Sequence, residues 1–148
     1  RSALDLIPED GKAVQVELVT EVIEWNRGPL APFADHPLND KRTEIVQDDI
    51  SKVIRTAHNE YDSIMLDVDN GPSALVDERN SWLYTDHGLQ AIRRALKNGG
   101  RVAIWSADDE PRFTSRMRRN GFRTEKVQVQ AHKGKGGIRH VIFTGRKT

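Results

Sequence analysis

Short apolar runs alternate along the chain with segments whose apolar residues recur at helical spacing. The runs predict strands, and the segments between them predict helices that cross over a mostly parallel sheet. The predicted strands are residues 13–18, 43–47, 61–67, 101–106, 124–131 and 140–145, and the predicted helices are residues 2–6, 21–26, 50–58, 86–97 and 111–119, with a further short helix at 30–33.

Polar residues and glycines mark the ends of the predicted helices. Thr20 and Asp86 stand where N-caps belong, because their side-chain oxygens can accept an unpaired backbone N–H. Asn98-Gly99-Gly100 has the composition that usually closes a helix at its C-terminus. These three positions therefore predict the bounds of two helices.

The order of the elements predicts one α/β domain over residues 1–148. Strict alternation in residues 124–131 indicates that the last two strands form an antiparallel pair, with one face open to solvent. A doubly wound nucleotide-binding fold normally opens with a strand and a glycine-rich turn that feed a helix. Neither precedes the helix at 2–6. We therefore expect an N-terminally incomplete domain that lacks the first strand and the glycine-rich loop.

Composition sets limits on the class of protein. The chain is 36% hydrophobic and 30% charged, which fits a globular protein in water, and no segment approaches the ~20 apolar residues of a membrane span. The first residues contain no apolar stretch of signal-peptide length. Because there is no cysteine, disulfides, thiolate metal sites and thiol nucleophiles are excluded. We expect a cytoplasmic protein without a membrane partner.

The net charge of +1 conceals an uneven distribution. Residues 1–110 carry 12 Lys/Arg and 21 Asp/Glu, a balance of −9, whereas residues 111–148 carry 11 and 1, a balance of +10. A solvated basic face is the ordinary explanation, and a surface for an acidic partner or nucleic acid is the alternative. No aromatic residue interrupts Lys133-Gly134-Lys135-Gly136-Gly137, so the sequence offers little for base stacking.

Acidic residues follow three of the predicted strands. Glu17 ends the first strand, where nucleoside-binding α/β folds place an acid that accepts hydrogen bonds from the ribose hydroxyls. Asp48 and Asp49 end the second, where a carboxylate could bind an adenine amino group, although one of them is also needed to cap the next helix. Each acid therefore has a structural and a ligand-binding interpretation.

Asp67 is the most informative of these acids. An apolar strand delivers it to the carboxyl edge of the sheet, and Gly71-Pro72 forces a tight turn just beyond. Charged groups at the end of a buried strand are costly, and active-site acids collect at such edges. Asp67 is therefore a candidate base that accepts a proton from an amine, or a candidate partner for a positive ligand.

The same stretch is compatible with two other chemistries. Asp67-Val68-Asp69 after an apolar strand is similar to the nucleophile motif of haloacid dehalogenase-type phosphatases, with Ser106 in their second motif, and to the Asp-x-Asp metal site of some glycosyltransferases. Trp82 and Tyr84 follow the motif, and either line a pocket by stacking or anchor the loop in the core. No pair of histidines has the i, i+4 spacing of a helical metal site.

Taken in order, these motifs resemble the spermidine synthase-like family of the S-adenosylmethionine transferase fold. Their order and spacing carry the resemblance over nearly the whole chain. The matching segments are residues 14–17 with 21–23, residues 46–49, residues 61–67, residues 83–85 and residues 96–100.

The resemblance implies a Rossmann-like methyltransferase fold and an alkyl transfer that requires no metal. The donor would be S-adenosylmethionine or its decarboxylated form, and the acceptor a small amine, with a homodimer as a possible assembly. Glu17 would bind the ribose, Asp49 the adenine, and Asp67 would be the catalytic base. Asp69 would take the place of the family's second acid, which binds the amine, at a spacing one residue shorter, and Tyr84 would contact the substrate.

Three functions remain open at this point. An aminopropyl transfer to an amine comes first, a methyl transfer to another acceptor second, and a non-catalytic nucleoside-binding or regulatory protein third. The retained acids Glu17, Asp49 and Asp67 favour an enzyme. The missing glycine-rich loop favours a protein that has the fold without turnover.

Overall fold

A computed structural model of the protein describes residues 1–68, 71–72, 81–130 and 139–148. The chain divides into two compact units, residues 1–53 and residues 54–148. Each unit contains strands joined by helices, as the alternation of apolar runs predicts. No helix within the described ranges is long and apolar enough to cross a membrane.

The first unit contains one parallel pair of strands. Strand β1 pairs with β2 in register, from Ala13 opposite Thr43 to Val16 opposite Val46. Each strand is shorter than predicted, because the residues that follow it turn towards the next helix. The elements in chain order are α1 (Ser2–Leu6), β1 (Ala13–Val16), α2 (Thr20–Arg27), short 3₁₀ helices at Ala31–Ala34 and Pro37–Asn39, β2 (Thr43–Val46) and the first part of α3 (Ile50–Thr56).

A partly buried ion pair fixes the entry to β2. Arg42 donates from Nε and Nη2 to the two carboxylate oxygens of Asp40, at 3.0 and 2.7 Å. Its Nη1 donates to the carbonyl oxygen of Ile7, at 3.2 Å, which ties the end of α1 to the same place. The side-chain hydrogen bonds from Arg42 hold the pKa of Asp40 well below its usual range.

The second unit contains a four-stranded sheet in the order β3-β4-β6-β5. Strands β3 and β4 are parallel, whereas β6 is antiparallel to both of its neighbours, which confirms the predicted antiparallel pair at the end of the chain. The elements in chain order are the rest of α3, β3 (Tyr61–Leu66), a 3₁₀ helix at Trp82–Tyr84, α4 (Asp86–Ala95), β4 (Leu96–Ser106), α5 (Pro111–Arg119), β5 (Phe122–Gln130) and β6 (Arg139–Lys147).

An aromatic chain forms the centre of the core of the second unit. Phe113 of α5 contacts Phe143 of β6 and Tyr84 edge to face, with ring centroids 5.2 and 5.9 Å apart. Leu89 and Ile92 of α4 are fully buried. Burying a side chain of this size contributes about 1.5–3 kcal/mol to folding, so these contacts hold α4 and α5 in place.

Both predicted N-caps are wrong by one residue. Thr20 is the first residue of α2, and Val19 occupies the cap position without a side-chain hydrogen bond. Asp86 is the first residue of α4, and Thr85 caps that helix by accepting a hydrogen bond from the backbone N–H of Gly88, at 3.2 Å. At the entry to α4, Thr85 and Asp86 both have capping side chains, and the backbone places Thr85 at the cap position. At the entry to α2, the helix begins one residue earlier than predicted, so Thr20 lies inside it.

The predicted glycine cap at the end of α4 is also wrong. The helix ends at Ala95, and Asn98-Gly99-Gly100 belong to β4. The carbonyl oxygens of Arg94 and Ala95 instead accept hydrogen bonds from the backbone N–H groups of residues 59 and 60, at 2.8 Å each. A glycine cap is therefore not needed to satisfy these two carbonyls.

Part of the basic C-terminal segment lies on the sheet. Arg146 of β6 stands directly opposite Arg101 of β4 and Arg123 of β5, and all three are exposed. Like charges placed directly opposite one another are destabilising unless solvent screens them. This arrangement is that of a solvated face, and the predicted basic turn at 133–137 lies outside the described residues.

Asp40→Asn should reduce stability at neutral pH and make stability less dependent on acid. The folded-state pKa of Asp40 lies below the ~3.9 of an unfolded chain, so the carboxylate contributes stability above about pH 4 and loses it as the pH falls below that value. Thermal unfolding of both proteins at pH 7 and near pH 2 measures the difference.

Asp62→Asn is the matched control, because Asp62 pairs with Lys97 through a side chain that is 83% exposed. It should change the unfolding temperature little at either pH. A destabilisation by Asp40→Asn that is as large near pH 2 as at pH 7 would contradict the assigned role of the ion pair.

Candidate functional site

Glu17 lies at the carboxyl edge of the β1–β2 pair. Its backbone N–H donates to the carbonyl oxygen of Val46 at 3.1 Å, which extends the ladder one residue beyond β1. Its side chain is half-buried, and Oε1 accepts a hydrogen bond from the backbone N–H of Val19 at 2.9 Å. The carboxylate therefore supports the turn into α2 and is held in one position.

Asp49 lies at the same edge, after β2. Its Oδ1 accepts a hydrogen bond from the backbone N–H of Ser51 at 2.7 Å, so Asp49 caps α3. Asp48 accepts from Nζ of Lys52 at 2.9 Å and from the backbone N–H of Asp49 at 2.7 Å. The side-chain hydrogen bond with Lys52 lowers the pKa of Asp48 and raises that of Lys52.

Glu17 and Asp49 can still accept hydrogen bonds from a ligand. A carboxylate has two oxygens with about four acceptor positions, and the local backbone uses one oxygen of each side chain. Gln47 donates from Nε2 to Oγ1 of Thr20 at 2.5 Å, which links the turns that carry Glu17 and Asp49. The structural and ligand-binding interpretations of these acids are therefore compatible.

Asp67 follows β3 in the second unit and is exposed. The parallel register places Leu66 opposite Ile104, so Asp67 lies at the carboxyl edge of both strands, beside the end of β4. No hydrogen bond or ion pair connects its carboxylate to another of the described residues. Asp69, the predicted second acid, lies outside the described residues.

Tyr84 is placed in the core. Its residue is 5% exposed, its ring packs edge to face on Phe113, and its hydroxyl donates to the carbonyl oxygen of Val68 at 2.7 Å. The structure therefore favours the core-anchoring interpretation of Tyr84 over direct contact with a substrate.

Trp82 is engaged on the surface. The guanidinium carbon of Arg55 lies 3.6 Å from the centroid of the Trp82 ring, a cation–π contact. This contact lies in an open groove of about 540 Å³, which contains none of the predicted site residues. The groove is lined by Arg55, Trp82, His87, Gln90, Ala91 and Arg94.

Ser106 is buried beneath the turn that follows Asp67. Ser106 has no exposed surface, and its Oγ donates to the carbonyl oxygen of Asp108 at 2.7 Å. Gly71 has φ +92° and lies against it, so that a Cβ at position 71 would be 2.7 Å from Cβ of Ser106. The phosphatase interpretation requires the Ser106 hydroxyl to face a bound phosphate. The burial of Ser106 and its hydrogen bond to Asp108 do not meet that requirement.

Close packing around the candidate site was not predictable from the sequence. It involves Gly71 against Ser106, and Gly88 against Leu83. A Cβ at Gly88 would lie 2.7 Å from backbone atoms of Leu83, so only glycine lets the 3₁₀ helix at Trp82–Tyr84 pack on the first turn of α4. The Gly71-Pro72 pair was the one available signal, since it marks a tight turn. Among the described residues, no group of three or more His, Asp or Glu side chains is arranged to hold a metal ion.

Comparisons with known proteins identify a family. The family model for the spermine/spermidine synthase domain matches residues 7–136. A polyamine aminopropyltransferase from Saccharolobus islandicus (strain L.S.2.15) is 32% identical over 91 residues, which are 62% of this chain and 29% of that protein. The chain thus spans less than a third of the length of this curated relative.

Solved structures share the fold. The spermidine synthase of Thermotoga maritima superposes with a TM-score of 0.69 at 22% identity, over 93% of this chain and 45% of that one. A precorrin-6y C5,15-methyltransferase of Geobacter metallireducens superposes with a TM-score of 0.67 at 16% identity, over 99% of this chain and 72% of that one. These likenesses confirm the predicted methyltransferase-type α/β fold.

Substitutions of Asp49 should show how much its capping hydrogen bond contributes to stability. Asp49→Ala removes the acceptor for the N–H of Ser51 and should cost about 0.5–2 kcal/mol of stability, whereas Asp49→Ser keeps a capping oxygen and should cost a few tenths at most. Urea unfolding of the three proteins gives the comparison. An Asp49→Ala protein as stable as the wild type would show that the cap contributes nothing to stability.

Proposed function

Because the chain belongs to the spermine/spermidine synthase domain family, we propose that it takes part in the transfer of an aminopropyl group from decarboxylated S-adenosylmethionine to an amine. The family match over residues 7–136 is the observation that carries this proposal. Membership of this family replaces the phosphatase and glycosyltransferase interpretations of the Asp67 motif.

The proposed reaction is a nucleophilic substitution at carbon. The lone pair of a neutral amine forms a bond to the aminopropyl carbon attached to sulfur, and the carbon–sulfur bond breaks as its electrons return to the sulfonium. Methylthioadenosine leaves as a neutral thioether, and the new ammonium loses a proton to a base. The positive sulfur already activates the carbon, so holding the two reactants in line supplies much of the catalysis.

Glu17 and Asp49 are the proposed nucleoside-binding residues. Ribose hydroxyls and the adenine amino group are donors, and each acid retains acceptor positions beyond those that the backbone uses. The hydrogen bonds that these carboxylates accept from Val19 and Ser51 fix their orientation before a ligand arrives. A binding site that is already ordered loses less entropy when the ligand binds.

Asp67 is the proposed base. It lies at the carboxyl edge of parallel strands, where ligands bind in open α/β sheets, and its carboxylate is exposed to an incoming amine. A carboxylate there also attracts the positive charge that amines carry at neutral pH. Asp69 is proposed as a second acid for the same amine. The homodimer and the cytoplasmic location stay predictions.

Glu17→Gln should weaken nucleoside binding with little change in stability. The glutamine carbonyl can still accept the hydrogen bond of Val19, while the charge that favours the ribose hydroxyls is lost. A hydrogen bond to a charged group contributes about 1.5–3 kcal/mol, and calorimetry with methylthioadenosine on the full-length protein measures that difference. Glu21→Gln changes an exposed residue of α2 and is the control, so it should bind methylthioadenosine with normal affinity. Unchanged affinity in Glu17→Gln would remove Glu17 from the site.

Asp67→Asn should lower the turnover number by about 10²–10⁴ while the affinity for the nucleoside stays constant. The amide has the shape of the carboxylate but does not accept the proton. Turnover on the full-length protein is measured with decarboxylated and with intact S-adenosylmethionine as donors, because the second donor reports methyl transfer.

Asp62→Asn changes an exposed acid on the same strand and should leave turnover unaltered. Normal turnover in Asp67→Asn would show that Asp67 is not the base. A wild-type protein that uses intact S-adenosylmethionine alone would establish methyl transfer in place of aminopropyl transfer.

A further inference from the structure

We propose that Tyr84 is a positioning residue for Asp67, and that it acts together with the contact between Gly71 and Ser106. The first contact holds the backbone at Val68, and the second holds it at Gly71. This inference rests on the proposed role of Asp67 as the base.

The first contact holds the backbone directly after the acid. The Tyr84 hydroxyl donates to the carbonyl oxygen of Val68 at 2.7 Å. This hydrogen bond fixes the orientation of the Val68 carbonyl group. Tyr84 is itself fixed, because its ring packs on Phe113 and its carbonyl oxygen accepts a hydrogen bond from Nη1 of Arg116 at 2.9 Å. The Tyr84 side chain therefore connects the backbone at Val68 to the core.

The turn that carries Tyr84 is held just as closely. The Thr85 hydroxyl donates to the carbonyl oxygen of Trp82 at 2.7 Å and accepts from the backbone N–H of Gly88 at 3.2 Å. Because Gly88 has no side chain, the turn lies directly on the first residues of α4. The Tyr84 ring thus enters the core at one fixed place.

The second contact lies at Gly71. At φ +92°, Gly71 has a backbone conformation that other residues seldom adopt, and a Cβ there would lie 2.8 Å from Cα of Ser106. Ser106 ends β4, is fully buried and is locked by its hydrogen bond to the carbonyl oxygen of Asp108. A side chain at position 71 would therefore collide with Ser106.

Asp67 needs such support more than the acids of the first unit do. The carboxylates of Glu17 and Asp49 accept hydrogen bonds from backbone N–H groups, whereas that of Asp67 has no hydrogen-bond partner among the described residues. Its placement is therefore set by the backbone on either side. A shift of that backbone would misalign the base without removing it, and small misalignments of reacting groups are costly in rate.

Tyr84→Phe tests the first contact in a double-mutant cycle with Asp67→Asn. Phenylalanine keeps the ring on Phe113 and removes the hydroxyl alone. In the full-length protein with decarboxylated S-adenosylmethionine and an amine, Tyr84→Phe should lower kcat roughly tenfold, the effect of about one hydrogen bond, with unchanged KM for the donor. In the Asp67→Asn background it should have no further effect, because there is no base left to position.

Tyr61→Phe is the matched control. It removes the same hydroxyl from the opposite end of β3 and should leave kcat unchanged. An equal loss from Tyr84→Phe with and without the Asp67 carboxylate would show a general structural role and overturn the proposal. So would a normal kcat in the single variant.

Gly71→Ala provides a second variant at the other contact. It should also lower kcat in the wild-type background and not in the Asp67→Asn background, and it keeps the proposal testable should Tyr84→Phe unfold. If Asp67→Asn alone leaves turnover normal, Asp67 is not the base and the positioning role fails with it, whereas the proposed transfer fails only if the wild-type protein transfers no aminopropyl group. If Asp67→Asn lowers turnover but Tyr84→Phe and Gly71→Ala do not, the function stands and the positioning role fails.

Discussion

Parallel pairing of strands is the constraint from which the arrangement of acids in each unit follows. Two parallel strands end at the same edge, so a residue just beyond one strand lies near the residue just beyond its neighbour. In the first unit this edge receives Glu17 and Asp49, and in the second it receives Asp67 beside the end of β4. The polar backbone groups at these ends also need partners, which the nearby side chains supply.

The acids meet that need in two ways. Glu17 and Asp49 accept hydrogen bonds from the turns that follow them, so folding and the proposed ligand binding use the same side chains. The backbone after Asp67 is contacted by Tyr84 at Val68 and by Ser106 at Gly71. The Asp67 carboxylate itself has no hydrogen-bond partner among the described residues. A base needs a free carboxylate, whereas a group that only accepts hydrogen bonds from a ligand can share its oxygens with the backbone.

Sequence patterns predicted the strands, the helices and the acids at strand ends, because periodicity and burial are local properties of a segment. The helix ends were less predictable. Asn98-Gly99-Gly100 has the usual composition of a helix cap, yet the carbonyls at the end of α4 bond to residues 59 and 60, which are distant in the chain. The sequence also could not decide whether the Tyr84 side chain lies in the core or lines a pocket. Its placement depends on contacts with Phe113 and Val68, which are distant in the chain.

The contacts around Asp67 also set the order in which a newly made chain could become competent. Asp67 leaves the ribosome before Tyr84, and Tyr84 before Ser106, so the acid is synthesised ahead of both residues that place it. A polypeptide that stops within α4 contains the complete acidic motif and one of its two supports, but not β4, on which the second depends. Prematurely terminated products therefore contain the proposed base without the contacts that would align it. Translation must pass α5, whose Phe113 and Arg116 fix Tyr84, before both supports are complete.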